Sequence, residues 1–145
     1  RRLFHRAVHI LVRNSAGEIY VQRRSPTKDT YPNRWTTSCS GHVDSGETYE
    51  SATVRELNEE LGIPIGGPDA VSLIFSEKPC RATGYEFIAV YELVWDGEIT
   101  PEPEEISEGR WFTPEALDTE MANSPDDFAP SFRLVWDKSK AAWSS

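Results

Sequence analysis

Cysteine, methionine and basic residues are all scarce in this chain. It carries two cysteines, Cys39 and Cys80, and one methionine. Two thiols build no disulfide framework, and their placement matches no zinc-ligand spacing. A reducing, cytoplasmic setting is the expectation that follows. Lys and Arg number 15 against 24 Asp and Glu, for a net charge of -9. Such a balance lacks the clustered cations that a nucleic-acid backbone needs, so no nucleic-acid polymer is expected as a partner. A small phosphorylated substrate is not excluded, because it can arrive with a divalent cation and meet a local basic patch. No apolar run approaches the roughly 18 residues of a membrane span. No basic n-region leads into an apolar h-region either, so neither a membrane partner nor a signal peptide is expected. Internal repeats and low-complexity tracts are missing too.

What the chain does have is enough apolar material for a core. Hydrophobic residues make up 38% of its 145 residues and aromatics 11%, which suits one domain over 1–145. "AVHILV" (7–12) and "EIYVQR" (18–23) read as strands joined through "RNSAGE". "WTTSCS" (35–40) reads as a further strand after a loop marked by Pro26, Pro32 and Asn33. "VSLIFSE" (71–77) and "YEFIAVYELVW" (85–95) are strand-like, with Asp96-Gly97 as a turn, and "PEPEE" (101–105) is an acidic loop. Thr113-Pro114 has the form of an N-cap followed by proline at the first helical position. In the tail, Phe132, Val135, Trp136 and Trp143 fall near one helical face. Strands interleaved with two or three helices indicate a mixed α/β domain.

One helix is unusual. It is expected from about Thr48 to Leu61, with Gly62 as its C-terminal cap and Pro64 preventing continuation. At about 100° per residue, Glu56, Glu59 and Glu60 lie within one arc of about 100°. Val54, Leu57 and Leu61 occupy another arc and are expected to face the core, while Tyr49 and Ala52 fall on the glutamate side. Like charges at this spacing oppose one another, and Arg55 offsets only part of the repulsion. A divalent cation would offset the rest, since carboxylate oxygen is the ligand magnesium prefers. A solvated acidic face is the alternative for a bare triplet.

The triplet is not bare. Gly41 is followed by five residues and then Glu47, and seven more lead to Arg55-Glu56-Leu57, Glu59-Glu60 and Gly62-Ile63. Residues 41–63 therefore resemble the Nudix box, G-x5-E-x7-R-E-U-x-E-E-x-G-U, at every specified position. The resemblance implies a Nudix-type α/β/α sandwich with a mixed β-sheet and a loop–helix–loop. It also implies a magnesium- or manganese-dependent hydrolase acting on a phosphoanhydride in a nucleoside diphosphate-type or other diphosphate substrate. On that resemblance Glu56, Glu59 and Glu60 bind metal, and one of them activates water. Arg55 orients the carboxylates, the Gly41 carbonyl reaches a metal, and Glu47 supports the helix start.

The flanks "HRAVHILV", "VQRRSPTKDTYPNRWTTSCSGH" and "GYEFIAVYEL" resemble the branch containing type 1 isopentenyl-diphosphate isomerase. There His5, His42 and Glu86 match metal ligands, and Glu86 also matches a catalytic glutamate. Arg23, Arg24 and Lys28 match a stretch that contacts diphosphate. The isomerase cysteine falls at Ser40, with Cys39 one step away and so on the opposite strand face. Gly84 stands where another metal-binding glutamate would be, and an upstream histidine lies outside the chain. These departures, and the intact box, favour hydrolysis. Isomerisation and a non-catalytic diphosphate-binding module are the alternatives. Trp35 is read as core or as a stacking platform, and Trp111, Trp136 and Trp143 as core or as a homodimer contact.

Overall fold

A computed structural model describes residues 5–28 and 31–144. Among the described residues, seven strands form one mixed sheet: β1 (Arg6–Arg13), β2 (Ile19–Arg24), β3 (Trp35–Thr36), β4 (Cys39–His42), β5 (Val71–Glu77), β6 (Phe87–Val94) and β7 (Ile106–Phe112). Three α-helices among the described residues flank them: α1 (Tyr49–Leu61), α2 (Pro114–Asn123) and α3 (Pro130–Ser144). Among the described residues no helix is long and apolar enough to cross a membrane.

The strand β1 organises the layers. Its central residues are buried on both faces, as expected of a strand covered from two sides. Ala7 and Leu11 join the cluster containing Leu117, Phe132, Val135 and Trp136 from α2 and α3. Val8, Ile10 and Val12 join Ala52, Leu57 and Leu61 from α1. Strand alternation alone therefore divides the core into two halves and makes an α/β/α sandwich. β6 runs parallel to β1 in register from Arg6↔Phe87 to Arg13↔Val94, and β5 adds antiparallel at its far edge.

β1 and β2 pair only at Arg13↔Ile19 and then part. β4 takes the freed edge of β1, while β3 and β7 border β2. The expected single strand over 35–40 is thus two short strands with a corner at Thr37-Ser38. The Ser38 hydroxyl accepts from Val12 N–H at 2.9 Å and donates to the Tyr20 carbonyl. It satisfies ladder groups that the separating strands leave behind, which a straight strand would not do. β7 was not expected from its pattern. Only Ile106 and Phe112, at its ends, are buried, so pairing with β2 supplies its order rather than alternation. Gly109 in β7 is packed beneath the Tyr20 ring, where a Cβ would collide.

The helix α1 has the expected ends. Thr48 Oγ1 accepts from Ser51 N–H at 3.0 Å and Ser51 Oγ reciprocates to Thr48 N–H, a capping box. Gly62 adopts φ 65°, and its N–H and that of Ile63 bond back to Asn58 and Leu57. One expectation needs correction: Val54 is only half-buried, while Ala52 and Thr53 are buried. The inward arc is rotated toward the helix start because Tyr49 and Ala52 also meet the sheet. Of the two readings of the C-terminal tryptophans, the structure gives core. Trp136 is fully buried and Trp143 packs edge-on against it at 5.9 Å, so Trp136 offers no exposed surface for a dimer. Trp35 is core, perpendicular to Phe112 at 5.9 Å.

Candidate active site

A cavity of about 930 Å³ opens where β1 and β2 diverge. Gly41, Arg55, Glu56, Glu59, Glu60 and Glu86 all line it, together with Arg24 and Lys28. The fold thus gathers residues that lie far apart in the chain.

The hub of the acidic end is Arg55. Its Nε and Nη2 donate to the two oxygens of Glu47, both at 2.8 Å. This is the bidentate fork that a planar guanidinium suits. Nη1 donates to Glu56 at 2.7 Å and to Glu59 at 3.2 Å, and Nη2 also reaches the His42 carbonyl at 3.0 Å. The bond from Arg55, followed by one from the Asp44 backbone N–H, pulls the Glu47 carboxyl down to about 2. The same bond raises the Arg55 pKa further above its ordinary range. Arg55 therefore stays charged and ties the loop after β4 to the helix.

The three box glutamates differ in environment. Glu59 is open to solvent, with its side chain 60% exposed, against 15% for Glu56. Glu60 receives a hydrogen bond from Gln22 Nε2 on β2. Burial pushes the Glu60 carboxyl well up; the bond from Gln22 opposes that shift, and neighbouring Glu56 adds to it. Glu56 is also raised, chiefly by burial and against the pull of Arg55. Two half-buried carboxylates side by side favour either a proton or a cation between them.

Gly41 abuts this pair. A Cβ there would lie 2.5 Å from both oxygens of Glu56, so only glycine allows the strand and carboxylate to touch. In the arrangement described, no three His, Cys, Asp or Glu side chains among the described residues enclose an ion. Arg55 draws Glu56 and Glu59 aside, and Gln22 holds Glu60. The donor set itself fits a hard divalent cation: carboxylate oxygens, with strand backbone pressed against one of them.

Glu86 precedes β6 and bonds to His42 Nε2 at 2.6 Å. The His5 and His42 rings are 5.9 Å apart, so the three isomerase-like positions are neighbours. Ser40 lines the cavity, whereas Cys39 is fully buried in the α1-side core. Burial, with Glu60 and Glu56 nearby, pushes the Cys39 thiol well up, so it stays protonated.

Arg24 and Lys28 line the cavity, with Lys28 Nζ at 2.6 Å from Glu105. Arg23 is placed differently. It does not line the cavity; its guanidinium lies over the Trp35 ring at 4.7 Å and near Glu108 at 3.7 Å. Gln22 reaches Glu60, and one step along the strand reverses the face. An irregularity in the β2–β7 pairing between Arg23 and Arg24 re-aims the next side chain. Gln22 and His9 were missed. Their signal was a polar residue at a buried strand position, which is informative once burial is known.

A family model described as NUDIX domain matches residues 3–132. A Deinococcus radiodurans protein named Nudix hydrolase is 44% identical over 114 residues, covering 77% of this chain and 65% of that protein. The chain thus spans just under two thirds of that relative's length. An isopentenyl-diphosphate delta-isomerase of Paenarthrobacter aurescens is 33% identical over 129 residues, covering 87% of this chain and 70% of its own. A crystal structure of a Deinococcus radiodurans protein superposes with a TM-score of 0.72 at 42% identity, covering 82% of this chain and 73% of that one.

Proposed function

This chain belongs to the Nudix family, and from that premise we propose that it is a metal-dependent hydrolase of a phosphoanhydride bond in a diphosphate substrate. The supporting observation is the convergence of Glu56, Glu59, Glu60 and Gly41 with Arg24 and Lys28 on one cavity. Family members use divalent cations. Here magnesium, or manganese in its place, would be held by Glu56, Glu59, Glu60 and the Gly41 carbonyl. When bound, the cation neutralises the diphosphate and lowers the pKa of water.

The chain's own residues do the rest. Arg24 and Lys28 hold phosphate oxygens; Lys28 does so by leaving Glu105. Arg55 stays charged and fixes the direction of Glu56. Water attacks phosphorus, the bridging P–O bond breaks, and a phosphate or monophosphate leaves. The proton of the attacking water passes to a carboxylate, for which Glu56, Glu59 and Glu86 are the candidates. The domain 1–145 acts as one unit on a small phosphorylated substrate. The free thiols of Cys39 and Cys80 suit a reducing, cytoplasmic setting.

Glu59→Gln and Glu60→Gln test the assignment. Each is expected to lower magnesium-dependent phosphate release at least about 100-fold, with an unchanged far-UV circular dichroism spectrum. Near-normal turnover in both would refute it. Isomerisation of isopentenyl diphosphate is the second reading, favoured by the grouping of His5, His42 and Glu86. It requires deuterium incorporation into that diphosphate without phosphate release. Cys39, fully buried behind Glu60 and not lining the cavity, speaks against it.

A further inference from the structure

Part of the cavity lining comes from the α3 side of the sheet, away from Glu56, Glu59 and Glu60. At about 930 Å³ the cavity is near the upper end of ligand pockets, roughly 300–1,000 Å³, and larger than a diphosphate needs. Its lining also includes Ala7, His9, Thr36, Thr83, Ala129 and Ser131, with Glu86 next to Thr83. Ala7 and His9 share the face of β1 turned toward α3, whereas Glu56 and Glu60 come from α1 on the other side of the sheet. The lining on the α3 side can therefore meet a different part of a bound molecule from the box glutamates.

His9 stands out in that part of the lining. It sits mid-strand, only 6% exposed, where an aliphatic residue would pack as well. Its Nδ1 and Thr37 Oγ1 are 2.8 Å apart, so one ring nitrogen is already engaged and the ring orientation is set. Its Nε2 has no hydrogen-bond partner among the described residues, and the ring borders the cavity. Burial keeps the imidazole uncharged near neutrality, leaving Nε2 as a single donor or acceptor.

We infer that His9 is a specificity-determining residue whose Nε2 hydrogen-bonds an uncharged polar group carried beyond the diphosphate, a hydroxyl or a heterocycle edge. A ligand that brings a hydroxyl or ring nitrogen to Nε2 forms a hydrogen bond there, whereas an alkyl chain leaves the nitrogen unpaired. A site built this way rejects alkyl diphosphates. The inference rests on the diphosphate-site reading above and adds what distinguishes one diphosphate from another.

The test uses three uncleavable ligands with magnesium: α,β-methylene-ADP, its base-free ribose counterpart, and its pentyl counterpart. Dissociation constants are measured by calorimetry for wild type, His9→Leu, His9→Gln and Thr37→Val, each checked for a cooperative melt. Wild type is expected to bind at least one polar ligand about 10-fold or more tighter than the pentyl ligand. His9→Leu is expected to weaken that polar ligand about 10- to 100-fold, as for a bond left unmade at a buried polar atom. The pentyl ligand should change less than about twofold, and His9→Gln should restore most of the difference. Thr37→Val keeps the imidazole but frees its orientation, giving the same pattern in smaller measure, and it serves should His9→Leu not fold. Loss with the base-free ligand assigns the group to a sugar hydroxyl; loss with α,β-methylene-ADP alone assigns it to the base. Equal weakening of all three, no weakening, or a wild type that binds the pentyl ligand as tightly or binds none overturns the inference. Because binding needs no turnover, a wild type with the expected ratios but no phosphate release from cleavable diphosphates would sink only the hydrolase reading.

Discussion

Replacing Gly41 with alanine isolates one contact of the proposed active site. The new Cβ would stand 2.5 Å from both Glu56 carboxylate oxygens, where carbon–oxygen contact is comfortable at about 3.5 Å. The carboxylate must therefore retreat by about 1 Å. It cannot do so freely, because Arg55 Nη1 holds it at 2.7 Å and Arg55 is itself fixed by Glu47. A displacement of about 1 Å in a reacting constellation costs about 100-fold in rate, or about 2.8 kcal/mol of transition-state stabilisation. Overpacking should also cost the fold about 1–3 kcal/mol. The assay is steady-state phosphate release with magnesium, compared as kcat/KM, beside urea denaturation. Gly66→Ala is the control, since a Cβ there meets nothing within 4 Å, and it should leave kcat/KM within about twofold. A folded Gly41→Ala protein within about threefold of wild-type kcat/KM would refute the idea that this contact sets the position of Glu56.

Acid should reveal His9 in the free protein. Burial pulls its pKa from 6.5 to about 4, so the unfolded chain binds more protons between those values. Stability is then fully present above pH 6.5 and falls as pH drops toward 4, by about 3 kcal/mol in all. The difference between wild type and His9→Gln in urea midpoints from pH 7.5 to 4 reads this directly, and parallel curves would contradict it. The two neighbouring arginines should also separate. Arg24→Ala should raise KM about 10- to 100-fold as a charge-assisted phosphate bond is lost. Arg23→Ala should leave kcat/KM within about twofold and cost about 0.5–1 kcal/mol of stability through the Trp35 stack. Equal kinetic effects from both would overturn the assigned faces.

Sequence alone was enough for everything governed by near neighbours. The helix α1 was legible from Thr48 to Gly62 because caps and helical spacing act over one turn. The Gly41–Ile63 pattern likewise identified the acidic residues and Arg55. β1, β2, β5 and β6 announced themselves through apolar runs. The edge strand β7 did not, because its order comes from β2 and not from its own alternation.

What lay beyond the sequence were relations set by distant chain segments. Whether 35–40 is one strand or two depends on where β1 and β2 part, and the Ser38 hydroxyl marks that point. Which of Arg23 and Arg24 faces the cavity depends on an irregularity in pairing with β7. That Gln22 holds Glu60, that Glu86 meets His42, and that His9 borders the cavity are facts of register between strands far apart in sequence. Residue types and local spacing determined which chemistry is proposed for this protein. Long-range pairing, through the two-residue alternation of each strand, decided which of those groups meet in one cavity.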